Sequence, residues 1–193
     1  MKLLLATRNK GKKDEIIRLL EGTDFEVITL NDLNDVDEVV ENGNTFYENA
    51  LIKAKYYHKK YRYITLADDS GLVVDALGGA PGINSARYSG IRDDKANMDK
   101  LLAEMEGIEN RKAAFVCSVA ICNDRFCLKS EGRLEGEIAL KPQGEFGFGY
   151  DPIFYLPDLG KTLAELDPSL KNMISHRAQA IKEAISKLKE VEL

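Results

Sequence analysis

Tryptophan is absent from this chain and proline is scarce, at five in 193 residues; cysteine is scarcer, at three, and histidine scarcer still, at two. So few prolines, with 44% hydrophobic and 31% charged residues, exclude a disordered or collagen-like chain. Cys117, Cys122 and Cys127 include an odd member and form no Cys-x-x-Cys pair. That argues against a disulfide framework or a zinc site, and for a reducing cytoplasm. With only two histidines, no Ser/His/Asp or Cys/His nucleophilic set assembles. The apolar start Leu3-Leu4-Leu5-Ala6 gives way at once to Thr7-Arg8-Asn9-Lys10, too soon for a signal segment or a membrane span. Positive charge is also in deficit. Against 32 acidic residues stand 27 basic ones, a net charge of −5, so general attraction to nucleic acid or anionic lipid has no electrostatic basis. A polyanionic ligand must be held locally, by a small basic cluster, by backbone N–H groups, or by a divalent cation recruited by carboxylates.

The length suits one domain, 1–193, built as two lobes. Short strand-like runs alternate with amphipathic segments in the first half, an α/β pattern. Strands are expected at 2–6, 25–30 and 63–67. Asn9 caps a helix that Gly22 ends, and Thr45 with Glu48 makes a capping box for a second helix running to about Lys60. The intervening acidic loop, 31–44, reads as solvated at Asp35, Asp37 and Glu38. A third amphipathic helix spans 93–106. Ala113–Cys122 and Phe126–Leu140 then form a hairpin around Asn123-Asp124 that suggests a second sheet or lobe, and a capped terminal helix begins at Ser175.

Five segments carry possible chemistry. Thr7-Arg8-Asn9-Lys10-Gly11-Lys12 passes from a strand end into a helix start, where lysines oppose the helix dipole unless an anion compensates them. A phosphate cradle and a solvated turn both account for it. Ala67-Asp68-Asp69-Ser70-Gly71 follows an apolar strand; one carboxylate there can hold Mg²⁺ or take a proton from water, and a plain Asx turn also fits. Glu41 precedes the capping box, with Lys53 on the helix behind it. Phe148-Gly149-Tyr150-Asp151 sets a ring among glycines, suited to stacking on a flat ligand or to a pinned turn. Lys171 and Ser175-His176-Arg177 place cations at the start of the last helix.

Taken in order, these segments resemble the inosine triphosphate pyrophosphatase family, whose members split non-standard purine nucleoside triphosphates into monophosphate and pyrophosphate. The resemblance spans the chain: Thr7-x-Asn9-x-x-Lys12, Glu41-x-Gly43-x-Thr45-Phe46-x-Glu48-Asn49-Ala50, Ala67-Asp68-Asp69-Ser70-Gly71-Leu72, Gly78-Gly79-x-Pro81-Gly82, Ser85-Ala86-Arg87-Tyr88, Phe148-Gly149-Tyr150-Asp151-Pro152 and Ser175-His176-Arg177.

The resemblance implies an elongated, two-lobed α/β fold with a mixed central sheet flanked by helices, a substrate cleft between the lobes, and a homodimer. It implies that Thr7, Arg8, Asn9, Lys10, Gly11 and Lys12 cradle the triphosphate with help from Lys53. Glu41 and Asp69 would hold Mg²⁺, and Asp69 would accept the proton of the attacking water, with Ser70 beside it. Phe148, Gly149, Tyr150, Asp151, Lys171, His176 and Arg177 would enclose the base, Arg177 or Lys171 donating to the 6-oxo group of hypoxanthine or xanthine. Stable binding of nucleic acid or membrane is not expected. The competing readings are a Maf-type nucleotide pyrophosphatase, which the Phe148 and Ser175 segments disfavour, and a non-catalytic nucleotide binder, which has no need of Glu41 and Asp69.

Overall fold

Side chains alternate across β1 (Lys2–Leu5), so Leu3 and Leu5 face one way while Leu4, with Ala6 just beyond, faces the other. A computed structural model describes residues 1–192, in which both faces of that strand are covered. β1 runs parallel to β2 (Glu26–Thr29) and to β3 (Ile64–Val74), with Leu5 opposite Thr29 and Leu66 respectively. Two further strands, β4 (Lys112–Cys122) and β5 (Cys127–Ile138), lead to the short antiparallel pair β6 (Phe154–Leu156) and β7 (Lys161–Thr162). All seven lie in one mixed sheet of order β2-β1-β3-β4-β5-β6-β7. The hairpin therefore extends the sheet instead of founding a second one.

The chain divides into two compact units, and it passes from one to the other within β3, β4 and β5 and again after Ser175. In the first unit, Leu3, Leu5 and Leu66 pack with Ile16 and Leu20 of α1 (Lys10–Leu20) and with Ile181, Ala184 and Leu188 of α5 (His176–Glu192). Leu4, Ala6 and Ala67 pack on the opposite face with Ala50, Ala54 and Tyr57 of α2 (Phe46–Tyr61). Burial on both faces is what a near-continuous apolar parallel strand requires. In the second unit, Leu72, Val74, Phe115 and Ile138 surround Phe154 together with Leu101 and Met105, at and just beyond the end of α3 (Asp94–Glu104). The Phe115 and Phe154 rings lie 4.5 Å apart. Among the described residues no helix is long and apolar enough to cross a membrane.

Two expected caps are present: Asn9 accepts from the Lys12 N–H and Thr45 from the Glu48 N–H. Two expectations are corrected and one element is added. β3 does not stop at Ala67 but continues through Asp68-Asp69-Ser70-Gly71 to Val74, so this segment is strand and not turn. A short helix α4 (Pro168–Ile174), capped by Asp167, precedes the last helix. Cys122 and Cys127 are joined by a disulfide, leaving only Cys117 as a free thiol. Counting cysteines missed this because the bond needs only a hairpin that puts the two ends of its turn opposite each other.

Candidate active site

The site in the first unit begins where β1 turns into α1. Thr7 Oγ1 accepts from the Asn9 N–H at 3.3 Å, and Asn9 Oδ1 caps Lys12 N at 3.0 Å, so two side chains shape the helix start around Lys10 and Gly11. Lys12 Nζ then reaches β3, 3.2 Å from Asp68 Oδ2 and 3.9 Å from Asp69 Oδ1.

α2 supplies the other wall. Asn49 and Lys53, one helical turn apart, share a face. Asn49 Nδ2 donates to Asp69 Oδ2 at 3.1 Å, and Lys53 Nζ lies 2.9 Å from Glu41 Oε2. Burial works against the charge on Lys53, yet Asp69, Glu41 and Asp68 together hold its pKa above the ordinary lysine value. Burial raises the Asp69 carboxyl above its ordinary value and the charge of Glu41 adds to this, against the pull of Lys12 and Lys53. Two carboxylates that repel each other and offer only oxygen donors are of the kind that could hold a hard divalent cation.

Asp68, on the other side of β3, is fully buried and serves a different purpose. Its Oδ2 lies 3.3 Å from Nε of Arg177, whose Nη1 is paired with Glu15 of α1. Burial opposes the Asp68 charge, but Lys12 and Arg177 keep the carboxyl well below the usual range. The Asp68 Oδ1 atom is buried without a hydrogen-bond partner. Arg177, expected beside the base, is thus a 2% exposed brace between α1 and β3. His176 is buried at the first turn of α5, its carbonyl so close to Gly132 of β5 that a Cβ there would stand 2.0 Å away.

Arg8, expected on phosphate, is engaged with the acidic loop: it donates to the carbonyls of Asp35 and Asp37, at 2.7 and 2.9 Å, and to the Asp35 carboxylate. The reading of Asp35 as solvated is corrected, since its side chain is wholly buried and also accepts from Lys60 and Tyr61. Burial would raise its pKa, but these hydrogen bonds bring it below the ordinary value. Asp37 is tied to Lys60 and Tyr56. The loop that carries Glu41 is thereby fastened to Arg8, between β1 and α1, and to α2.

The second unit carries the other expected group. Gly147 has φ +77°, and a Cβ on it would meet Asp151 Oδ2 at 2.0 Å. That oxygen accepts from the Phe148 N–H at 3.0 Å and pairs with Lys171 Nζ at 2.5 Å. The Lys171 ammonium sits 4.9 Å from the centre of the half-buried Phe148 ring. Gly149 donates to Asp94, and Tyr150 is buried with its hydroxyl on the Ser85 carbonyl. Asp151 therefore organises the aromatic loop, and Tyr150 anchors the turn at 82–87. Ser70 follows Asp69 in β3 as the first residue of this unit.

A sequence model of the Ham1 family matches residues 3–187. The chain belongs to the Ham1 family. Among similar proteins, the dITP/XTP pyrophosphatase of Bacillus subtilis is 47% identical over 97% of this chain and 96% of its own. That of Geobacillus kaustophilus is 48% identical over 93% and 90%. The solved HAM1 protein of Coxiella burnetii superposes with a TM-score of 0.89 at 41% identity, covering 98% of this chain and 99% of that one. Staphylococcus aureus Ham1 gives the same TM-score and identity. Within this Ham1 frame, the family resemblance pointed to Glu41, Lys53 and Asp69, while Glu15 and Asn49 carried no assigned role and Asp35 was read as solvated. Asn49 lies within the quoted Glu41–Ala50 motif and one helical turn before Lys53, whereas Glu15 and Asp35 find their partners through tertiary contacts.

Proposed function

We propose that this protein hydrolyses non-canonical purine nucleoside triphosphates, dITP, XTP and ITP, to the monophosphate and pyrophosphate, clearing them before they enter DNA or RNA. The observation that carries this reading is Asp69, half-buried on β3, flanked by Lys12, Lys53 and Asn49 and within electrostatic reach of Glu41.

A nucleoside triphosphate brings about four negative charges, which repel attacking water. The helix start at Thr7–Lys12 offers N–H groups and ammonium charge to the phosphates, and Lys53 adds to it. Arg8 serves them indirectly, by fastening the loop that carries Glu41. Glu41 and Asp69 would hold Mg²⁺, which supplies charge neutralisation to the phosphate chain and the leaving pyrophosphate. Asp69, its carboxyl raised by burial, takes the proton of a water directed at the α-phosphorus, with Ser70 contacting substrate. No covalent nucleophile is required. In the second unit Phe148 offers a stacking face for the purine, and Lys171, Gly149 and Asp151 hold that face in place. His176 and Arg177 support the site from the first turn of α5. The protein is read as a cytoplasmic homodimer acting on free nucleotides and binding neither nucleic acid nor membrane.

The test is purified protein with Mg²⁺ and a panel of ITP, XTP, dITP, GTP, ATP and dUTP, with pyrophosphate and orthophosphate measured separately. Pyrophosphate release favouring the 6-oxo, 2-unsubstituted or 2-oxo purines is expected. Orthophosphate as the product, or equal turnover of ATP and ITP, would overturn the reading.

A further inference from the structure

Asn49 is 3% exposed, and both ends of its carboxamide are in use. Oδ1 accepts from the backbone N–H of Gly43 at 2.8 Å, and Nδ2 donates to Asp69 Oδ2 at 3.1 Å. Gly43 follows Glu41 by two residues. One amide group therefore spans from the Glu41 loop to the middle of β3. Gly43 itself has no room for a side chain: a Cβ there would stand 2.8 Å from Asn49 Oδ1 and 2.6 Å from Glu48 Cβ. Glu48, the preceding residue of α2, accepts from Asn44 N at 2.6 Å, so consecutive side chains hold consecutive loop amides.

The Gly43 N–H can only donate, which obliges the amide oxygen to face it and turns the NH₂ toward Asp69. A donor in that position favours an ionised carboxylate and stops its rotation about Cβ–Cγ. No other side chain of similar size does both. Aspartate would keep the acceptor for Gly43 but set a second anion against Asp69. Leucine would keep the volume but leave a buried N–H without a partner.

We infer that Asn49 is a positioning residue for the reaction, its carboxamide setting the Glu41 loop and the Asp69 carboxylate in register so that both can serve one divalent cation. The inference rests on the proposed roles of Glu41 and Asp69 and adds to them the residue that links the two.

The experiment compares full-length wild type with Asn49→Leu and Asn49→Asp, using ITP hydrolysis with Mg²⁺, Mn²⁺ binding by electron paramagnetic resonance without nucleotide, and circular dichroism. Asn49→Leu is expected to lose about 10- to 100-fold in kcat and about 10-fold in Mn²⁺ affinity. Its KM for ITP should stay within about threefold, because the substrate contacts remain. Asn49→Asp, which keeps the Gly43 contact, should lose kcat comparably with a native spectrum. Wild-type kcat or unchanged Mn²⁺ affinity in Asn49→Leu overturns the inference. If Asn49→Leu does not fold, wild-type kcat in Asn49→Asp overturns it instead. A wild-type protein inactive on ITP sinks the functional reading, and the Mn²⁺ comparison then decides the role of Asn49 alone.

Discussion

Arg177 Nε lies 3.3 Å from Asp68 Oδ2, and neither side chain is more than 2% exposed. Arg177 also binds Glu15, so one guanidinium neutralises two buried carboxylates contributed by residues 162 and 109 positions away. Removing one partner of such a group strands the others without solvent.

Arg177→Ala is accordingly expected to destabilise the protein by about 3–5 kcal/mol. Urea unfolding measures this. The ratio of ITP to ATP turnover should hold in whatever fraction remains folded, because the guanidinium is committed to carboxylates. A ratio that collapses while stability is unchanged would return Arg177 to direct reading of the base.

Asp69→Asn keeps the shape of the side chain and removes its proton acceptor. Turnover should fall by about 100- to 10,000-fold, the range a positioned general base supplies. The circular dichroism spectrum and melting temperature should stay close to wild type. Unchanged activity would remove Asp69 from its assigned role.

Asp35 gives a pH dependence with a definite sign. Hydrogen bonds from Lys60 and Tyr61 overcome the effect of burial and lower its folded-state pKa below 3.8. Its contribution is therefore complete above the unfolded value of about 4 and is lost as pH falls through the folded value. Tyrosine fluorescence during an acid titration should show the Arg8–Asp35–Lys60 knot loosening below about pH 4. Asp35→Asn should lower stability at neutral pH and flatten that acid limb; an unaltered limb would show that another carboxylate controls it.

Cys117 should be inert. Burial first, with the Asp68 charge adding to it, pushes its thiol up to about 12. Against a free thiol near 8.5, the thiolate population at pH 8 falls about a thousandfold. Iodoacetamide followed by peptide mapping should leave Cys117 unlabelled in native protein and label it in urea, while Cys122 and Cys127 are recovered as one cross-linked peptide. Prompt native labelling of Cys117 would contradict its burial.

Gly132→Ala tests the seating of α5. The added Cβ would meet the His176 carbonyl at 2.0 Å and Ala180 N at 2.7 Å, both backbone atoms that cannot swing aside. A loss of about 1–3 kcal/mol is expected by thermal or urea unfolding. A neutral substitution would mean that α5 shifts freely along β5.

What the sequence by itself determined is local. The caps at Asn9 and Thr45, the apolar run of β1 and the motifs themselves all depend on residues within a turn or a loop of one another. The family follows from the order of those motifs. The net charge of −5 excluded general attraction to polyanions and left room for local basic groups.

Only the tertiary structure decided which charged groups face outward and which neutralise one another inside. Arg8 and Arg177 look alike in sequence, as cations beside a helix start. Arg8 is spent on the carbonyls and carboxylate of a loop 27 to 29 residues away, and Arg177 on Glu15 and Asp68. Asp35 belongs to a run of acidic residues and is the one whose carboxylate the fold wraps in Arg8, Lys60 and Tyr61. Desolvation is the physical reason: a buried charge must find its counter-charge wherever the chain happens to bring one, and no periodicity in the sequence records that distance.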